Sequence, residues 1–196
     1  MKDYNIILAG VGGQGILTLA GAIARAAMLE GYDVKASELH GLAMRFGSIQ
    51  VHLRIGKKLY SPLVSEGKAD LIIAQEPVEA ARQAKYANKE TVLIFDTKTQ
   101  VPIIAYIEET KYPSIAEIKK MLSPISKKII AVDASEAVLK ETGSTIMANI
   151  YLLGRLAAEK ILPIKKDSYI KVLKEVVKPA ALEQNLKIFE LGYKSS

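Results

Sequence analysis

The sequence predicts an α/β fold: a mostly parallel sheet flanked by helices, with an antiparallel hairpin and a helical C-terminal third. Three observations predict it. The apolar run Ile6–Ala9 passes through four glycines, between Gly10 and Gly15, into a helix-prone segment. Short apolar-rich runs at 69–74, 91–95 and 128–132 alternate with helical patterns, as buried parallel strands do. From Thr145 onward the periodicity is helical throughout.

Taken in order, the first unit is a strand over Tyr4–Ala9, a glycine turn, and a helix from about Gln14 to Leu29 ended by Gly31. Its apolar positions, among them Ile16, Leu19, Ala20 and Ile23, cover the wide face of a helix laid on a sheet. A second strand is expected over Asp33–Ser37, and strand–helix–strand implies a parallel crossover. Glu38–Gly47 shows no clear strand or long-helix pattern. Ser48–Ile55 then alternates, with Ile49, Val51, Leu53 and Ile55 on one face and Gln50, His52 and Arg54 on the other. Gly56-Lys57-Lys58 reads as a hairpin turn before Leu59-Tyr60, and His52 as a solvated or interfacial residue.

Ala69–Ala74 reads as a buried strand, with Glu76-Pro77 opening a helix through about Tyr86. Thr91–Phe95 is a further strand closing at Asp96, and Pro102–Ile107 a short edge strand. Ser114 and Glu117 form a capping-box pattern ahead of a helix to Leu122. Lys128–Val132 is a strand, and Ala134–Glu141 a helix stopped by Gly143. Thr145–Leu162 is so apolar that the core or another subunit must cover it. Asp167–Val177 and Pro179–Leu191 are amphipathic helices, the last ended by Gly192. No repeat or linker divides the chain, so 1–196 is read as one domain.

Composition excludes several functions. The net charge is +6, but the lysines are scattered pairs without interleaved aromatics, which argues against nucleic-acid binding. There is no cysteine, so the chain has no thiolate nucleophile and no ligand for a cysteine-held zinc or iron–sulfur cluster. Only two histidines, His40 and His52, are present, and no metal centre is expected. No apolar run reaches the roughly 18 residues that span a bilayer. A cytoplasmic protein is expected.

The spacing Gly10-x-Gly12-x-x-Gly15 fits a Rossmann-like dinucleotide turn, where glycines and a helix N-terminus receive an anionic group. It fits equally a tight turn without a ligand. Glu38 follows at the distance of a ribose-binding acid. Arg45 is suited to a phosphate or carboxylate, or to a structural pair with Glu38. His40 is either a structural histidine or an acid–base group.

Taken together, Gly10-Val-Gly-Gly-Gln-Gly15, Ser37-Glu-Leu-His-Gly-Leu-Ala-Met-Arg45 and Tyr60-Ser-Pro-Leu-Val-Ser-Glu-Gly67 resemble the gamma-type component of 2-oxoacid:ferredoxin oxidoreductases. Within that family they are nearest to the beta subunit of indolepyruvate:ferredoxin oxidoreductase. The resemblance continues through Ala69–Glu76, Lys111-Tyr-Pro113 and Asn149–Gly154. It departs at Met44 and Phe46, where the pattern carries glutamine and glycine.

The resemblance implies oxidative decarboxylation of a 2-oxoacid to an acyl-CoA, with electrons passed to ferredoxin. It implies that thiamine diphosphate and the iron–sulfur clusters sit on a companion subunit. It also implies that Gly12, Gly13, Gln14 and Gly15, with Glu38, His40 and Arg45 beside them, face the active centre or coenzyme A. His40 and Arg45 are the candidates for a catalytic contribution. An independent NAD(P)-dependent dehydrogenase and a purely structural assembly subunit are the competing readings.

Overall fold

The computed structural model describes residues 2–40, 47–101 and 111–195. Six strands form one sheet in the order β2-β3-β1-β4-β5-β6. The strands are β1 (Tyr4–Val11), β2 (Asp33–His40), β3 (Ser48–Gly56), β4 (Leu71–Ala74), β5 (Val92–Asp96) and β6 (Lys128–Val132). β1, β4, β5 and β6 pair in parallel. β3 runs antiparallel to both of its neighbours, β1 and β2.

The described helices are α1 (Ile16–Leu29), α2 (Pro77–Arg82), α3 (Ile115–Leu122), α4 (Ala134–Thr142), α5 (Ala148–Glu159), α6 (Lys166–Val176) and α7 (Pro179–Lys194). Strand alternation sends Ile6 and Leu8 to one face of the sheet and Ile7 and Ala9 to the other. The first face is covered by α1 and α4–α7, with Ile16, Leu152, Tyr169 and Phe189 in its core. The second is covered by α2, the short 3-10 turn Ala84–Tyr86, α3 and the 59–69 segment, through Val64, Ala80, Tyr86, Ile118 and Leu122. The central strands β1 and β4 are therefore buried on both faces, which is why they read as continuous apolar runs.

Local chemistry sets several ends as expected. The Glu76 side chain caps α2 by accepting from the Glu79 N–H at 2.9 Å, with Pro77 at the first position. Ser114 and Glu117 form the reciprocal capping box of α3. Gly143 closes α4 in the left-handed conformation, φ 76°.

Elsewhere tertiary contacts decide. β1 and β2 run in the same direction, but β3 lies between them. The antiparallel hairpin is formed by β2 and β3, not by Gly56-Lys57-Lys58, and Leu59-Tyr60 is not a strand. β2 extends to His40, because β3 pairs with it over its whole length. His52 is buried, since Val64 and Tyr86 cover its face of β3: the Val64 N–H donates to its Nδ1 at 2.9 Å, and the Tyr86 ring meets it edge-on at 5.1 Å.

The apolar C-terminal helix narrows to Ala148–Glu159 and is buried within this chain. α7 runs on through Gly192, which is a contact point and not a stop. A Cβ there would lie 2.0 Å from the Tyr151 carbonyl oxygen, and one on Gly154 would lie 2.0 Å from that of Phe189. The two helices thus cross backbone to backbone. The Pro102–Ile107 strand and the Gly41–Phe46 part of the loop fall outside the described residues. Among the described residues no helix is long and apolar enough to cross a membrane.

Candidate functional site

The parallel strands β1, β4, β5 and β6 all end on the same edge of the sheet, where open α/β sheets bind their ligands. A cleft of about 480 Å³ opens there. Gly12, Gly13 and Gln14 form its wall after β1, Gln75 after β4, and Asp96, Lys98, Thr99 and Gln100 after β5. Ser135 of α4 and the Thr145–Ala148 approach to α5 close it.

The glycine turn is held by a few specific contacts. Gln14 folds back so that its Oε1 accepts from the Val11 N–H at 2.7 Å, while its Nε2 donates to the Gln75 carbonyl at 3.0 Å. A Cβ on Gly10 would crowd two side chains, 2.7 Å from Ile16 Cδ1 and 2.8 Å from that Oε1. The Gly12 N–H donates to the Gly47 carbonyl at 2.8 Å, and the Gln14 N–H to Val11 at 3.1 Å. Gly13 and Gly15 have φ of 100° and 81°, left-handed values that favour glycine. No described group accepts the N–H of either. Gly15 caps α1 without a side-chain bond, and Asn149 reaches its carbonyl from α5 at 3.4 Å.

The opposite wall carries one carboxylate, Asp96, and one cation, Lys98, and the carboxylate is internally satisfied. Asp96 is 1% exposed, and its carboxylate accepts from the Ser135 N–H at 3.1 Å, from the Ser135 hydroxyl, and from the Lys98 N–H at 3.3 Å. Burial pushes the Asp96 carboxyl above the usual carboxylate range, and the Ser135 and Lys98 donors oppose the shift. This carboxylate occupies the first turn of α4.

Behind the floor, Glu76 accepts from the Tyr112 hydroxyl as well as capping α2. Burial and then the Glu76 carboxylate push that hydroxyl far above the ordinary phenol value. Glu79 accepts from the Ser48 hydroxyl at 2.5 Å, and burial raises its carboxyl. Gln75 is 2% exposed, and its side-chain Nε2 has no partner among the described residues.

Of the residues singled out from the sequence, Gly12, Gly13 and Gln14 line the cleft, and Gly15 begins the helix beside it. Glu38 is exposed on the edge strand β2, level with Leu8 through the Glu38–Val51–Leu8 register. That places it two strand spacings, about 10 Å, from β1. A dinucleotide fold would set its ribose acid on a strand next to β1, and β3 fills that place here. His40 ends β2 level with Gly10, again two strands away. Arg45 lies outside the described residues. Gln75, Asp96, Lys98 and Ser135 were not singled out; the rule that open α/β sheets bind at the carboxyl ends of their strands is the signal that could have found 75 and 96. Among the described residues there is no cluster of histidine and carboxylate side chains set to hold a metal ion.

Comparison with known proteins supplies the family context. The family described as pyruvate ferredoxin/flavodoxin oxidoreductase matches residues 5–195. Indolepyruvate oxidoreductase subunit IorB of Pyrococcus horikoshii is 38% identical over 100% of this chain and 97% of its own length. The IorB subunit of Archaeoglobus fulgidus is 40% identical over 96% of this chain and 93% of its own. Among solved structures, 2-oxoglutarate:ferredoxin oxidoreductase from Magnetococcus marinus, with 2-oxoglutarate, coenzyme A and succinyl-CoA bound, superposes with a TM-score of 0.74 at 21% identity. It covers 100% of this chain and 32% of that larger one, a likeness of fold.

Proposed function

The chain belongs to the pyruvate ferredoxin/flavodoxin oxidoreductase family, and on that premise we propose that it is the gamma-type subunit of a thiamine-dependent enzyme that oxidises indolepyruvate or another aryl pyruvate. The complex decarboxylates the 2-oxoacid, forms an acyl-CoA and passes the electrons to ferredoxin, in the cytoplasm. Thiamine diphosphate and the iron–sulfur clusters belong to the companion subunit; for the clusters this accords with a chain that has no cysteine and so no thiolate to offer. The whole of 1–196 acts as one domain that completes the partner's active centre. The full-length likeness to IorB subunits supports the choice of substrate.

The observation that carries a supporting role for this chain is the open cleft over Gly12–Gln14, with the uncapped N-terminus of α1 beside it. Donors line it: the Gly13 and Gly15 N–H groups and the Gln75 amide on that side, and the exposed Lys98 on the facing wall. Such a set suits an anionic part of coenzyme A, which supplies, when bound, the thiol that takes up the acyl group. The role of this chain is to hold and orient that group while Asp96 stays engaged by Ser135. Arg45 is assigned to the same anion, and His40 and Glu38 to hydrogen bonding along the neighbouring edge.

The test is reconstitution. Copurified with a thiamine-binding, cysteine-rich companion, the chain should support coenzyme A-dependent reduction of ferredoxin, with kcat/KM higher for indolepyruvate than for pyruvate. Alone it should oxidise neither acid. Robust oxidation by the isolated chain overturns the subunit reading, and a preference for pyruvate overturns the substrate.

A further inference from the structure

We propose that Gln75 is the residue with which this chain reads the ligand of the cleft, its buried side-chain amide donating to an oxygen of a phosphate ester lodged against the N-terminus of α1. The proposal rests on the coenzyme A reading above and adds to it a named donor and the ligand chemistry that donor selects.

The main chain of Gln75 is locked on both sides. Its N–H donates to the Ala9 carbonyl at 3.0 Å, and its carbonyl accepts from the Gln14 side chain at 3.0 Å. The residue therefore stands on the floor of the cleft as a fixed point between β1 and β4. The residue is 2% exposed, and its buried Nε2 has no acceptor among the described residues. Buried amide donors are nearly always paired, because an unpaired one keeps the whole desolvation penalty. A buried donor left unpaired beside a cleft is explained if the acceptor arrives with the ligand.

The surroundings say what the acceptor is. α1 is 14 residues long, and its cap, Gly15, provides no side-chain bond to its first turn. The N–H groups of Gly13 and Gly15 have no described acceptor, and Lys98 brings a cation to the same cleft. The other helix that begins here, α4, already has the Asp96 carboxylate on the Ser135 N–H. A ligand anion is thus directed toward α1 and Gln75 and away from Asp96. A group with several anionic oxygens, able to accept from a helix end and a side-chain amide together, is a phosphate ester or anhydride.

Titration calorimetry on the full chain, alone and in complex with its companion subunit, tests this with coenzyme A, inorganic pyrophosphate and the uncharged fragment pantetheine. The wild type should bind the first two in competition. Gln75→Met should weaken both by roughly tenfold, and Gln75→Glu, which turns the donor into a second anion, by roughly a hundredfold. Pantetheine binding should not change with either variant.

Ligand-free Gln75→Met should melt no lower than wild type, since it removes an unpaired donor. A Gln75 that merely held the fold would lower the melting point and leave the affinities alone, and that result overturns the proposal. Wild-type binding of coenzyme A with unchanged affinity in both variants overturns the role of Gln75 but not the coenzyme A reading. Binding of pyrophosphate but not coenzyme A, sensitive to Gln75, does the reverse. Binding of neither overturns both.

Discussion

Gln14 stands between two acceptor and donor groups of the scaffold, and both ends of its amide are engaged. It braces the glycine turn against β4 and so sets the position of Gln75. Truncation to alanine would leave the buried Val11 N–H without its acceptor, which costs about 1–3 kcal/mol. Gln14→Ala should therefore lower the stability of the isolated chain by that order in urea denaturation, whatever it does to ligand affinity. An unchanged midpoint would show that the turn stands without its brace.

His52 is the residue whose environment predicts a pH response. Its Nδ1 accepts from the Val64 N–H at 2.9 Å, and the Gln50 side-chain amide nitrogen lies 2.8 Å from its Nε2. Burial, and then the charge of Lys85, hold the His52 pKa below the ordinary histidine value. The unfolded chain takes up this proton near pH ~6.5, while the folded chain resists it to lower pH. The stability tied to His52 is thus fully present above the unfolded value and declines as the pH falls below it toward the folded one. Thermal unfolding followed across this range should show the decline in wild type and a shallower one in His52→Gln.

At the scale of elements, the crossing of α5 and α7 makes the sharpest prediction. Gly154 and Gly192 each face a carbonyl oxygen of the other helix at a distance no Cβ tolerates, and backbone cannot swing aside as a side-chain end would. Gly154→Ala or Gly192→Ala must push the helices apart, at a cost of about 3 kcal/mol. Gly21 of α1 is the control, because a Cβ there meets nothing. Gly21→Ala should stabilise by roughly 0.5–1 kcal/mol through helix propensity alone. Chemical denaturation of the three variants checks the contrast, and equal effects would refute the packing argument.

These elements also show what the sequence could and could not tell. The β1–glycine–α1 unit was legible because turn glycines, a helix start and an apolar run are all local signals. So were the caps at Glu76 and Ser114. Gly192 was misread because a glycine that ends a helix and one that admits a neighbouring helix look alike until the neighbour is placed. His52 was misread because alternation reports which face a residue is on, and not that Val64 and Tyr86 come back to cover it. The order β2-β3-β1 depends on pairing between distant segments, and it separated Glu38 from the glycine turn despite a suitable spacing. The cleft itself draws on strand ends after β1, β4 and β5. Gln75 and Asp96 therefore had no local motif to announce them.

For the molecule as a whole, the cleft mouth is where this chain should meet its companion subunit. Ile146 is 76% exposed on the cleft wall, and Leu139, 49% exposed, lines an adjoining recess with Thr145 and Ser135. Large apolar side chains exposed at the rim of a polar cleft are a liability in an isolated chain and an anchor in a complex. If the partner's active centre closes over this cleft, these two side chains become buried on assembly. Ile146→Ser should leave the stability of the isolated chain within about 0.5 kcal/mol, because an exposed side chain contributes little to folding. The same change should weaken association with the companion subunit by roughly tenfold, the loss expected for one apolar anchor. Sedimentation of mixed subunits over a range of concentrations gives that ratio directly. Should Ile146→Ser and Leu139→Ser both assemble as tightly as the wild type, the companion must approach from another side, and the cleft would then face solvent in the complex.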